Sequence, residues 1–64
     1  MLAENIKRFR QAKGLTQEQL AQKASVTYST LTKLESGMNQ NPKVKTLQGI
    51  ARVLGVSLDE LLEG

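Results

Sequence analysis

The segment TYSTLTKLES, residues 27–36, packs five hydroxyls, a phenol, an ammonium and a carboxylate into ten positions. Wound as a helix at about 100° per residue, it points Leu31 and Leu34 one way. Ser29, Thr32, Lys33 and Ser36 then point the other way, with Tyr28 and Glu35 on the shoulders. Catalysis is not the chemistry this face offers. The chain has no histidine and no cysteine, so the common zinc sets and thiol or imidazole nucleophile pairs are excluded. No Gly-rich phosphate loop occurs, and the carboxylates read as capping, surface or ion-pair groups. What remains is hydrogen bonding to an approached surface. Short hydroxyls let a helix come close, and they bond base edges in a major groove. A solvated Ser/Thr-rich face has the same composition, although an ordinary solvated helix would carry more Glu and Lys there.

Charge points the same way. All nine Lys and Arg precede residue 53, against three Glu, a net +6. Residues 53–64 carry Asp59, Glu60 and Glu63, a net −3. A basic body with an acidic end suits a polyanion on one side only; a merely solvated basic surface is the alternative. At 64 residues there is room for one domain, spanning 1–64. A fold that small buries about 60% of its unfolded surface. With no disulfide to help, it depends on packing Leu, Ile, Val, Ala and Phe9. No apolar run of membrane-spanning length is present, and MLAENIKRFR lacks a signal-peptide core; the expected location is cytoplasmic.

The elements that must position the polar face follow from apolar spacing and caps. Leu2, Ile6 and Phe9 mark a first helix over about 2–13, stopped by Gly14. Thr16 and Gln19 form a capping box, with Leu15 and Leu20 as its staple, opening a second helix over about 17–24. Val26 and Leu31 flank Thr27, which caps a third over about 28–36 ended by Gly37. After the polar loop MNQNPK, Leu47, Ile50, Ala51 and Leu54 mark a fourth helix over about 44–54. Gly49 within it has no evident local reason. Ser57 and Glu60 box the start of a fifth helix over about 58–63. The expected fold is all-α, five short helices with no strand, and the second helix braces the third across a turn.

The unit TQEQLAQKASVTYSTLTKLESG, with IKRFRQAKGL before it and NPKVKTLQGIARVLGVSLDELL after it, resembles the phage repressor and Cro family, also called the Xre family. The resemblance implies a helix-turn-helix over about 16–37. It implies that Gln17 contacts a phosphate from the start of the second helix. It puts base reading on Tyr28, Ser29, Thr32 and Lys33, with Thr27 and Ser36 near phosphates. Asn39, Gln40, Asn41 and Lys43 in the loop are further candidates for the backbone. Arg10 and Glu35 match positions where the family pairs an Arg with a Glu, and they are expected to form a partly buried ion pair. Ser25 stands where the family usually has a glycine in a left-handed turn.

The implied function is sequence-specific binding of double-stranded DNA for transcriptional control. A homodimer reading an inverted repeat, most simply as a repressor, is the expected arrangement. Its contact is expected at the C-terminal end, through exposed Val44, Val56 and Leu58. The competing expectation is a protein-interaction module on the same fold, as in an antitoxin, or a restriction–modification controller. No enzyme activity, cofactor or metal is expected.

Overall fold

Side chains at the helix starts account for much of the local order. In the computed structural model, which describes residues 1–63, Thr16 Oγ1 accepts from Gln19 N at 3.1 Å while Gln19 Oε1 accepts from Thr16 N at 2.9 Å. Ser57 and Glu60 repeat the box at 3.0 and 2.9 Å. Thr27 Oγ1 accepts from Thr30 N at 3.0 Å. Each such cap satisfies a donor the helix cannot, contributing about 1 kcal/mol. The helices they open are α2 (Gln17–Lys23), α3 (Tyr28–Ser36) and α5 (Leu58–Leu62). With α1 (Leu2–Ala12) and α4 (Val44–Leu54), they make five helices among the described residues, and no strand. The three helices expected to run to residues 13, 24 and 63 each stop one residue earlier, because Lys13, Ala24 and Glu63 are caps.

The apolar stripes meet in one cluster. Ile6, Leu20, Leu31, Leu34, Ile50 and Leu61 are essentially inaccessible to solvent. Each contributes about 1.5–3 kcal/mol over its exposed state. Phe9 sits at the margin, only partly buried against this cluster, with the Arg8 guanidinium 5.1 Å from its ring centroid. Around the core, α3 packs on both α1 and α2, while α5 and α4 close the opposite side.

Two contacts not anticipated from local pattern tie distant segments together. Buried Asn5 donates from Nδ2 to Leu61 O at 2.8 Å and to Glu63 O. Those carbonyls lie at the end of α5, where no further helical turn supplies donors. Gly49 answers for itself in the same way. A Cβ there would stand 3.0 Å from Ala24 O, so the glycine lets α4 lie directly on the end of α2.

The C-terminal end differs from expectation. Val44 is well exposed, but Val56 and Leu58 are half-buried and pack against the core. Val56 staples to Leu61 across the start of α5 and Leu58 opens that helix against the core, and this packing withdraws both partly from the surface. The exposed apolar side chain at this end is Leu62.

Candidate nucleic-acid interface

The turn between α2 and α3 is Ala24, Ser25, Val26 and the α3 cap Thr27. Ser25 adopts φ +58°, the left-handed region that costs a non-glycine residue about 1 kcal/mol. The chain accepts this cost where the family pattern has glycine. Val26 N donates to Ala21 O at 3.0 Å, which closes the turn onto α2.

Across the turn, α3 presents the face anticipated for it. Leu31 and Leu34 are buried, Ser29 and Lys33 are exposed, and Tyr28 is 53% exposed. Thr32 is half-exposed, and its Oγ1 donates to Ser29 O at 2.9 Å. Ser36 Oγ donates to Lys33 O at 3.1 Å and accepts from Met38 N. None of these side chains is occluded by the protein's own core. Thr27, beyond the cap it forms, lies exposed at the entrance to α3.

Beneath that face lies a polar network. Arg10 Nε donates to Glu35 Oε2 at 2.7 Å and Nη2 donates to Oε1 at 3.1 Å, a two-pronged pairing of guanidinium and carboxylate. Arg10 Nη1 also donates to Leu15 O at 2.7 Å. The side chains of this pair are only 11% and 3% exposed, so it joins α1 to α3 out of water. Gln17 Nε2 donates to the same Glu35 Oε1 at 3.1 Å, and Tyr28 Oη donates to Gln17 Oε1 at 3.4 Å. The structure therefore puts Gln17, expected at a phosphate, inside a chain that runs from the ion pair to the phenol. Sequence reasoning missed this link because it joins three helices. The only local signal was that Gln17 and Tyr28 both open a helix on either side of one turn.

The loop after α3 supplies one cation, Lys43, and three amides, Asn39, Gln40 and Asn41. Thr30, Asn39, Asn41, Pro42, Lys43 and Thr46 line a shallow groove, so Asn39 and Lys43 come together beside the start of α3. Asn41 N donates to Asn39 Oδ1, which shapes the loop. A second groove runs from the α2–α3 turn along α4, with Lys43, Lys45 and Arg52 on its walls. Lys45 and Arg52 had not been singled out in the sequence, since neither falls on the third helix or in the loop that follows it. Among the described residues no cluster of three metal-ligating side chains occurs, and no helix is long and apolar enough to cross a membrane.

Two short helices joined by a tight turn, the second presenting an unobstructed polar face and braced from behind, define a helix-turn-helix protein. The chain belongs to the Xre-type helix-turn-helix family, whose model matches residues 6–61. It is 44% identical over 64 residues to the uncharacterized HTH-type transcriptional regulator YqaE of Bacillus subtilis, covering all of this chain and 54% of that protein. It is 36% identical over 63 residues to the transcriptional regulator SinR of the same organism, covering 98% of this chain and 57% of SinR. The chain thus spans a little over half the length of these regulators. Among solved structures it superposes on the N-terminal DNA binding domain of SinR from Bacillus subtilis with a TM-score of 0.96 at 36% identity, covering 100% of this chain and 93% of that one. On SinR in complex with DNA the TM-score is 0.95 at 36% identity, covering 98% of this chain and 100% of that one.

Proposed function

We propose that this chain is the DNA-reading domain of a transcriptional regulator, a sequence-specific binder of duplex DNA that inserts α3 into the major groove. The observation that carries the reading is the outer face of α3: Tyr28, Ser29, Thr32 and Lys33 stand clear of the core on a helix held rigidly from behind. Lys33 donates to guanine O6 or N7, and Ser29 and Thr32 read permissively. Gln17, Thr27, Ser36, Asn39 and Lys43 meet phosphates and set the register. Gln17 Nε2 spends one N–H on Glu35 and keeps its second for a phosphate. Similarity to SinR, solved with DNA, supports this assignment. Two copies on an inverted repeat, acting as a repressor, is the simplest arrangement for a domain that reads only a few base pairs.

The test is selection of bound sequences from a random duplex pool, followed by affinity measurement across salt concentrations. An inverted-repeat consensus, with log affinity falling linearly in log salt, is the expected result. Affinity indifferent to both sequence and salt overturns the reading in favour of a protein-binding module.

A further inference from the structure

The flank of α4 that faces α2 is a basic groove with no carboxylate on its walls. Helical spacing puts Lys45, Gly49 and Arg52 on one side of α4. That side meets Ala24 and Val26 at the end of α2, and together they enclose about 460 Å³ open to solvent. Ala24, Val26 and Gly49 give the groove an apolar strip. Lys45 and Arg52 are exposed beside it, and neither makes a salt bridge or a side-chain hydrogen bond among the described residues. The other flank of the molecule carries the complement. Residues 53–64 hold Asp59, Glu60 and Glu63 and no cation. Glu60 is spent on the Ser57 cap. The exposed carboxylates of Asp59 and Glu63 have no such partner among the described residues, and Leu62 between them is 55% exposed. Since α4 packs on α2 by one side and on α5 by another, while α2 and α5 form no packed pair, the acidic end cannot reach its own groove.

We propose that the acidic end of one copy docks in the α2–α4 groove of a second copy. Leu62 lies against the apolar strip, and the carboxylates of Asp59 and Glu63 turn toward Lys45 and Arg52. Two different surfaces on opposite flanks make a head-to-tail contact, which extends as an open row and does not close on a twofold axis. It is separate from the twofold arrangement on an operator and does not rest on the DNA reading. DNA phosphates match the groove less well. They bring no apolar group to the strip, and the groove lies at the end of α2 opposite Gln17. Exposed ion pairs contribute little each and are screened by salt, and a groove this small buries less than a standard interface. The contact is therefore absent at micromolar concentration and forms near millimolar, the effective concentration reached when two copies are held side by side on one duplex. Its use would be cooperative filling of neighbouring sites.

Sedimentation equilibrium of the free chain in low salt, carried to roughly millimolar concentration, tests this. The average mass should rise past that of a dimer as concentration increases, and the rise should shrink in high salt. Three variants divide the contact: Lys45→Gln with Arg52→Gln neutralises the groove, Asp59→Asn with Glu63→Gln neutralises the end, and Leu62→Ala leaves every charge in place. All these positions are exposed, so each variant should keep the parent's circular dichroism, and each should weaken association roughly five- to tenfold. The two neutralised variants, mixed, hold one intact groove and one intact end between them. The mixture should associate as tightly as the parent but stop at one-to-one pairs. A parent that stays monomeric at the highest concentration overturns the proposal, as does any of the three variants associating like the parent, or a mixture that stays apart. A groove variant that self-associates normally but binds a single half-site duplex several-fold more weakly assigns the groove to DNA and overturns it too.

Discussion

Lys33 and Glu35 are two residues apart on α3 and face opposite fates, one in solvent and one 3% exposed. Their substitutions should separate recognition from stability. Lys33→Ala removes an exposed ammonium that touches no core residue, so the melting temperature should hold. Binding should fall by about 1–3 kcal/mol, with preference relaxed at one base pair. An equal loss on every sequence would make Lys33 a phosphate contact instead. Glu35→Ala strands the Arg10 guanidinium, which is buried to nearly the same degree. Breaking a buried pair from one side costs about 3–5 kcal/mol. A domain of this length has roughly 3–10 kcal/mol in all. The variant should melt at a clearly lower temperature by circular dichroism, and a melting curve like the parent's would show that the pair contributes nothing net.

At the scale of elements, the junction of α2 with its neighbours carries two opposed glycine arguments. Ser25 holds φ +58° without the freedom that glycine has there. Ser25→Gly should therefore raise stability by about 0.5–1 kcal/mol, after the extra unfolded-state entropy of glycine is counted. A lowered midpoint in urea would mean that the serine side chain stabilises the turn by more than its backbone strain costs. Gly49 sits one layer behind, inside α4, where helix propensity alone favours alanine by about 1 kcal/mol. The Cβ of Gly49→Ala would press on the Ala24 carbonyl at 3.0 Å, next to the strained turn. That carbonyl belongs to backbone and cannot swing aside, so the substitution should destabilise. A gain in stability would show that α4 can lift off α2 freely. These elements also show what the sequence discloses. Thr16 with Gln19, and Ser57 with Glu60, were legible because a capping box closes within four residues. So were the stripes of α3 and α4, which need only the helical period. Asn5 was not legible: its acceptors lie more than fifty residues away, and the only hint was a polar residue interrupting the stripe between Leu2 and Ile6. Gly49 and the Gln17–Tyr28 link stayed hidden for the same reason, since each is defined by a second helix. Val56 and Leu58 misled because apolar residues at a helix start look alike in sequence whether they pack inward or remain exposed.

The folded domain measures 24 × 21 × 19 Å across its Cα atoms, and on the proposed reading this size constrains how it occupies an operator. Half-sites read from one face of B-DNA lie about 34–36 Å apart. One copy cannot bridge that distance, so an inverted repeat requires two. Two bodies this narrow, centred one turn apart, meet only through side chains at their margins. A standard interface buries about 800 Å² per partner, which would be roughly a fifth of the 4228 Å² surface here. With Val56 and Leu58 half-buried against the core, Met1, Val44 and Leu62 are the well-exposed apolar residues left at this end. On the twofold arrangement proposed above, the interface between these domains is small and DNA, by aligning both copies, supplies most of the association. Sedimentation should find the chain monomeric at micromolar concentration without DNA. Titration into the selected duplex should saturate at two copies per duplex, the second binding more tightly than the first. Halving the duplex to one half-site should reduce the stoichiometry to one and remove that cooperativity. A stable dimer in free solution, or saturation at one copy on the full repeat, would contradict the small interface and the twofold arrangement respectively.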